Sequence, residues 1–103
     1  DFTFVENVVQ ANIRALFAPI EKHEVVNIAC GDMTSLNQLW KMISNTLGVD
    51  ISPLHGPQRT GDIKHSLASI EKATRLFGYT PDIEMKTGLK ETIEWGKANA
   101  QSL

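Results

Sequence analysis

The sequence predicts an α/β fold, a small lobe with two short parallel strands and about four helices. Two β-prone runs, residues 2–5 and 25–29, flank a stretch whose apolar residues recur at helical spacing. The order strand, helix, strand is that of a βαβ unit. Three further helical stripes follow the second run. The 103 residues are enough for one core, so we expect residues 1–103 to form one domain.

The first helix is predicted near residues 7–18. Asn7 is a favourable N-cap residue, and Pro19 cannot continue a helix. Residues 25–29 are mostly apolar and β-branched, as in a strand that is covered on both faces. Residues 51–54 could form a further short strand, but a proline within them restricts it to the edge of a sheet.

The helices after the second strand have clear start and stop signals. Thr34 or Ser35 can cap the first of them, and Gly48 stands where a C-terminal glycine is expected. Gly78 ends the next helix in the same way. Gly88 lies inside the last helix, which predicts that another backbone approaches it closely. The three helices are predicted near residues 34–47, 69–77 and 86–99.

Composition excludes several classes of function. A net charge of −2 and a pI near 5.9 argue against a nucleic acid or an anionic membrane as partner. No apolar run approaches the roughly 20 residues that span a bilayer. Cys30 is the single cysteine, which rules out an intrachain disulfide and fits a cytoplasmic location. The chain opens on Asp1 rather than methionine, so we expect a piece of a longer protein.

Residues 56–62 combine two glycines, a proline, a cation and a carboxylate. The glycines and the proline suit a loop whose backbone comes close to a ligand. Arg59 offers a planar fork of donors for phosphate or carboxylate, and Asp62 offers acceptors for sugar hydroxyls. The alternative is a surface turn in which Arg59 and Asp62 form an ion pair.

The residues of several known catalytic and cofactor sites are absent. Gly56 and Gly61 match half of a phosphate-binding P-loop, but Asp62 and Ile63 stand where lysine and a hydroxyl residue are needed. No G-x-G-x-x-G sequence exists for a dinucleotide. Tyr79 lacks a lysine four residues later. The three histidines and the cysteine are too dispersed for a metal site. We therefore expect no catalytic residue, cofactor site or metal site in this chain.

Three segments in order resemble one enzyme family. Residues 1–11, 26–32 and 56–66 are similar to the C-terminal part of extended short-chain dehydrogenase/reductases, and residues 72–95 continue the match. Within that family the sequence looks most like nucleotide-sugar 4-epimerases. These are the enzymes of surface-polysaccharide pathways that act on UDP-glucose, UDP-N-acetylglucosamine or UDP-glucuronic acid.

The resemblance implies that the chain is a fragment of a Rossmann-fold enzyme. In the family, a large N-terminal lobe binds NAD and supplies the catalytic serine or threonine and the Tyr-x-x-x-Lys pair. The small C-terminal lobe binds the nucleoside diphosphate of the sugar. By this resemblance Arg59 would contact the pyrophosphate and Asp62 the ribose, with Gly61 between them in the substrate-binding loop. Asn7 and Ser69 stand where the family usually has aspartate, which leaves the sugar open.

The resemblance also implies partners and a limit on activity. The missing N-terminal lobe would be the first partner, and it would carry the NAD. A homodimer is possible because a lobe without its partner exposes apolar surface. We expect the fragment alone to be inactive and not to bind NAD tightly. The alternatives are a fragment of a nucleotide-sugar 4,6-dehydratase or reductase, and, in another class, a free-standing protein-interaction module.

Overall fold

The computed structural model describes residues 1–102, and four α-helices form within that range. Each predicted helix is confirmed, with its ends within two residues of the prediction. A 3-10 turn, Ala100–Ser102, follows the last helix. The four are α1 (Val5–Phe17), α2 (Leu36–Leu47), α3 (Glu71–Phe77) and α4 (Met85–Ala98).

The predicted strands are wrong for this chain, since no strand forms between residue 1 and residue 102. Val5, expected at the end of the first strand, is instead the first residue of α1. Residues 25–29 are irregular, although their side chains alternate as in a strand, with Val26 and Ile28 packed on the core. Their backbone makes no hydrogen bond to other main chain in the described range. A strand requires a paired neighbour, and that neighbour is missing.

Helix α2 has the sequence-predicted caps at both ends. The Ser35 hydroxyl accepts a hydrogen bond from the Gln38 backbone N–H at 3.2 Å, and the Ser35 N–H donates to the Gln38 side chain at 2.8 Å. This reciprocal pair is a capping box, which satisfies two backbone donors at the start of the helix. At the other end Gly48 adopts φ +68°, the left-handed conformation that favours glycine.

Asn7 does not cap α1, which corrects the sequence prediction. The helix begins two residues earlier, after Phe4, and Asn7 lies in its first turn with 1% of its surface exposed. Its side-chain amide donates to the Ile83 carbonyl at 2.8 Å, and its amide oxygen accepts from the Ile83 N–H at 3.0 Å. Both polar groups of the Asn7 side chain therefore bond a distant backbone segment and do not cap the helix.

The core is small and lies between α1, α3 and residues 26–29. The buried Tyr79 is its largest side chain, and the phenol donates to the Ala29 carbonyl at 2.8 Å. This bond fixes the irregular segment against the helices. The other members are small or aliphatic apart from one phenylalanine: Ala11, Val26, Ile28, Ile70, Ala73 and Phe77.

Gly88 marks a close contact between α4 and the N-terminal segment. A β-carbon added at Gly88 would lie 2.5 Å from the Phe4 β-carbon, far inside van der Waals contact. The predicted approach of another backbone is wrong, because the neighbour is the Phe4 side chain. Glycine at this position is what allows Phe4 to pack against the helix.

The chain is open and leaves much apolar surface uncovered. Its radius of gyration is 16.7 Å, whereas about 13 Å is typical of a compact domain of this length. One row of apolar residues along α1, here called the α1 stripe, is largely exposed. No helix among residues 1–102 is both long and apolar enough to cross a membrane. The α1 stripe consists of Val5, Val9, Ile13, Leu16 and Phe17.

Candidate functional site

The loop that carries the predicted site residues stands in solvent between α2 and α3. Residues 50–67 are all exposed and contain no helix. Within them the Asp62 N–H donates to the Arg59 carbonyl at 3.3 Å, which closes a four-residue turn. Gly61 is the third residue of this turn and has φ +86°. A turn with a positive φ at its third position needs glycine, which explains that residue.

The turn brings Arg59 and Asp62 together at its two ends but does not pair their side chains. Within residues 1–102 the ion pairs are Arg14 with Asp82 and Lys72 with Glu24. The alternative reading, a surface ion pair between the two, is therefore not formed. The Arg59 guanidinium keeps its planar donors available, and an anion could bind it without displacing a carboxylate.

Two side-chain contacts with α2 hold the first half of the loop. The Trp40 indole N–H donates to the Ile51 carbonyl at 2.9 Å. Asn37 Oδ1 lies 2.9 Å from His55 Nε2. The loop therefore leaves α2 along a fixed path up to residue 55, directly before the Gly56–Pro57 step.

Asp1 holds the second half of the loop, a role that sequence reasoning missed. The Asp1 amino group donates to the Ser66 carbonyl at 2.6 Å. Its carboxylate accepts from two successive backbone N–H groups, that of Cys30 at 3.0 Å and that of Gly31 at 2.9 Å. No local pattern could reveal these bonds, because they join residues 29 to 65 positions apart in sequence.

The turn at residues 29–31 is also fixed from the core. Tyr79 bonds the Ala29 carbonyl, and Asn7 Nδ2 lies 3.7 Å from Cys30 Sγ. Burial raises the pKa of the Tyr79 phenol above its ordinary value, and the charges of Cys30 and Asp82 act in the same direction. The phenol is therefore a neutral donor at pH 7, as its bond to the Ala29 carbonyl requires.

A separate apolar cavity of about 450 Å³ lies between the N-terminal segment, α2 and α4. Neither Arg59 nor Asp62 lines it. Its wall lacks a charged side chain, so it does not suit a phosphate. The loop and this cavity are distinct features, and the loop alone carries the predicted contacts. Among the residues of the cavity wall are Phe2, Phe4, Leu39, Ile43 and Leu89.

Comparison with known proteins gives relatives that are longer than this chain. No family model matches the sequence. A putative UDP-glucose 4-epimerase from Methanocaldococcus jannaschii is 35% identical over 96% of this chain, which spans 31% of that protein. A UDP-glucuronate 4-epimerase from Thermodesulfobacterium geofontis is 28% identical over 98% of this chain, again 31% of its own length. The chain thus spans about a third of the relatives that it matches.

A solved structure agrees with these relatives. MoeE5 in complex with UDP-glucuronic acid and NAD superposes on the whole of this chain with a TM-score of 0.89 and 29% sequence identity. The superposition covers 33% of MoeE5. The fold described above is therefore the fold of one part of a larger protein of known structure.

Proposed function

Since this chain is homologous to the C-terminal part of nucleotide-sugar 4-epimerases of the short-chain dehydrogenase/reductase type, we propose that residues 1–103 are the nucleotide-sugar-binding lobe of such an enzyme. The longer protein is called the parent enzyme below. Its reaction is the inversion of one sugar carbon through a transient oxidation. NAD bound by the parent enzyme would supply the reversible hydride transfer for that oxidation.

The observation that carries this proposal is the free guanidinium on a glycine turn. Arg59 is exposed, lies outside every ion pair of the described residues, and is the first residue of the turn that Gly61 allows. A planar guanidinium binds a diphosphate through paired, charge-assisted hydrogen bonds. We assign Arg59 to the pyrophosphate and Asp62 to a ribose hydroxyl. Gly61 lets the backbone turn between them.

We propose that the partner of this chain is an N-terminal lobe of the parent enzyme. The relatives are about three times as long as this chain, and MoeE5 was solved with both NAD and UDP-glucuronic acid. We propose that this lobe holds NAD and the catalytic residues. The α1 stripe and the open shape support the proposal, because apolar surface of this extent is normally covered.

Location and pathway belong to the same proposal. The Cys30 thiol is not in a disulfide, which fits a reducing cytoplasm. A role in surface-polysaccharide synthesis rests on the resemblance of the sequence to enzymes of those pathways.

Substitution of Arg59 in the parent enzyme tests the proposal. Arg59→Ala removes a contact worth about 1.5–3 kcal/mol, so UDP-sugar should bind about 10- to 150-fold more weakly. Arg59→Lys should recover part of the loss, since an ammonium lacks the planar fork. Isothermal titration with UDP-sugar and with NAD measures both affinities, and the NAD affinity should not change.

Arg75→Ala is the matched control. Arg75 is an exposed arginine of α3, outside the loop, and its removal makes the same change in net charge. Its UDP-sugar affinity should equal that of the unsubstituted enzyme. Equal affinities for the enzyme and for Arg59→Ala would refute the phosphate contact.

A further inference from the structure

We propose that Asp1 is a positioning residue for substrate binding, because it fastens the second half of the substrate loop to the core of the lobe. The inference rests on the proposed function, in which that loop holds the nucleoside diphosphate. It assigns a role to a residue outside the loop, one that need not touch the substrate itself.

The first step is the clamp that the Asp1 carboxylate makes. Each of its two oxygens accepts one backbone N–H, from Cys30 at 3.0 Å and from Gly31 at 2.9 Å. Gly31 has φ +72°, so these two amides belong to a tight turn. Charge-assisted bonds to two successive amides hold the carboxylate in one orientation. The position of Asp1 is then set by the turn.

The second step is that this turn belongs to the rigid part of the lobe. The buried Tyr79 holds the Ala29 carbonyl, and the buried Asn7 joins α1 to Ile83 by two hydrogen bonds. The exposed fractions of Tyr79 and Asn7 are 0% and 1%. Asp1 is therefore attached to the best-packed region of the chain.

The third step links Asp1 to the loop. The Asp1 nitrogen donates to the Ser66 carbonyl at 2.6 Å. The nitrogen is an ammonium in this chain and would be a peptide N–H in the parent enzyme, and both are donors. Ser66 lies four residues after Asp62, so this bond fixes the return path of the loop. The His55 and Ile51 contacts fix its outward path.

Between these anchors, residues 56–65 are exposed and make one backbone bond, that of the turn itself. The position of Arg59 in space thus depends on where the two ends of the loop are held. If the Ser66 end is released, the loop must be ordered anew each time that substrate binds. Ordering a loop weakens binding without changing the contacts made once it is bound.

The test compares Asp1→Ala with Asp32→Ala in the parent enzyme. Asp32 lies one residue beyond the same turn and carries the same charge, but its carboxylate accepts from the N–H of its neighbour Met33 at 2.7 Å and bridges no distant segment. Asp1→Asn is the conservative variant. It keeps one acceptor and replaces the other by a donor, so it should give an intermediate effect.

Three measurements are made on each variant. Hydrogen exchange followed by mass spectrometry reports on residues 28–33, which contain the two amides that bond the Asp1 carboxylate. The rate of limited trypsin cleavage after Lys64, which is exposed, reports on the mobility of the loop. Titrations give the affinities for UDP and for NAD. We expect Asp1→Ala to speed exchange in residues 28–33, to speed cleavage after Lys64, and to weaken UDP binding about five- to tenfold, with NAD affinity unchanged. Asp32→Ala should match the unsubstituted enzyme. A purely structural role would instead lower both affinities together.

Each contrary result has a distinct meaning. An unchanged rate of cleavage after Lys64 would overturn the attachment of the loop through Asp1. Faster cleavage with unchanged UDP affinity would overturn its role in substrate binding. If the unsubstituted parent enzyme does not bind UDP, the proposed function fails and the substrate-binding role of Asp1 falls with it. The cleavage rate still decides in that case whether Asp1 fastens the loop.

Discussion

Asn7 shows how one side chain can join distant parts of this lobe. Its amide bonds both the carbonyl and the N–H of Ile83, the same pair of bonds that the backbone of a neighbouring segment could make. The donor half of this pair requires asparagine, because an ionised carboxylate cannot donate to the Ile83 carbonyl. The sequence suggested a helix cap here, since asparagine suits caps and its partner is 76 residues away.

Asn7→Asp should therefore destabilise the chain by about 3 kcal/mol at pH 7, because it buries a charged carboxylate that cannot donate a hydrogen bond to its partner carbonyl. Burial raises the pKa of such a carboxyl in the folded state above its unfolded value of about 4. The penalty should then shrink as the pH falls toward that value, since the protonated acid can again donate. Urea denaturation between pH 4 and pH 7 measures it.

The control for this change is Asn12→Asp, on the same helix at an exposed position. It should change the free energy of unfolding by no more than about 0.5 kcal/mol at either pH. Equal costs for the two substitutions would contradict the role given to the buried amide of Asn7.

Tyr79 offers a second test at the scale of one residue. Tyr79→Phe removes the bond to the Ala29 carbonyl and should cost about 1–1.5 kcal/mol. Burial raises the pKa of the folded phenol above 10.0, so the folded state favours the proton and loses that advantage as the pH rises past 10. The stability difference between the chain and the variant should be constant below pH 10 and shrink above it. Denaturation between pH 7 and pH 11 measures this stability difference, and a difference that grows with pH would contradict the prediction.

Among the elements, the helices were predictable and the strands were not. Helix α2 carries its own signals, a capping serine, an apolar stripe and a terminal glycine, all within a few positions of each other. The run at residues 25–29 has the correct alternation of buried and exposed side chains, but alternation alone cannot supply a paired neighbour. Local patterns thus predicted what local bonds stabilise, and failed where a partner segment is required.

Ser35→Ala tests the cap of α2. The change removes the acceptor for the Gln38 N–H and should destabilise the chain by about 1 kcal/mol. Ser44→Ala is the control, because Ser44 lies inside the same helix, where alanine has the higher helix propensity. Thermal denaturation of both variants measures the difference. A Ser44→Ala variant as unstable as Ser35→Ala would argue against a specific cap.

The residues of the candidate site show the same contrast between local bonds and bonds to distant segments. Arg59, Gly61 and Asp62 are visible in the sequence because one short turn holds all three. Asp1 is not, because its partners at residues 30, 31 and 66 meet only after folding. That the three residues share one loop could be predicted, whereas the attachment of the loop to the lobe could not.

For the molecule as a whole, the α1 stripe is the surface to test. Leu16 and Phe17 are 77% and 80% exposed. We expect the isolated chain to self-associate through the α1 stripe at high concentration. Leu16→Glu should reduce this association, as measured by analytical ultracentrifugation.

Asn45→Glu adds the same charge on α2, away from the α1 stripe, and should leave the association unchanged. In the parent enzyme Leu16→Glu should instead lower the stability of the contact between the lobes. A strictly monomeric chain at every concentration would show that the exposed stripe does not drive pairing.

The contact between Trp40 and Ile51 makes the loop visible to spectroscopy. The indole donates its N–H at the point where the loop leaves α2, and indole emission is sensitive to the bonding and the polarity around that group. The sequence contains one other tryptophan, Trp95 on α4, whose signal a Trp95→Phe substitution removes. The parent enzyme could then be followed in real time without any attached dye, provided that tryptophans in its other lobe are replaced. On the proposed function, the emission of Trp40 would then report the rate at which the loop responds to a nucleotide sugar.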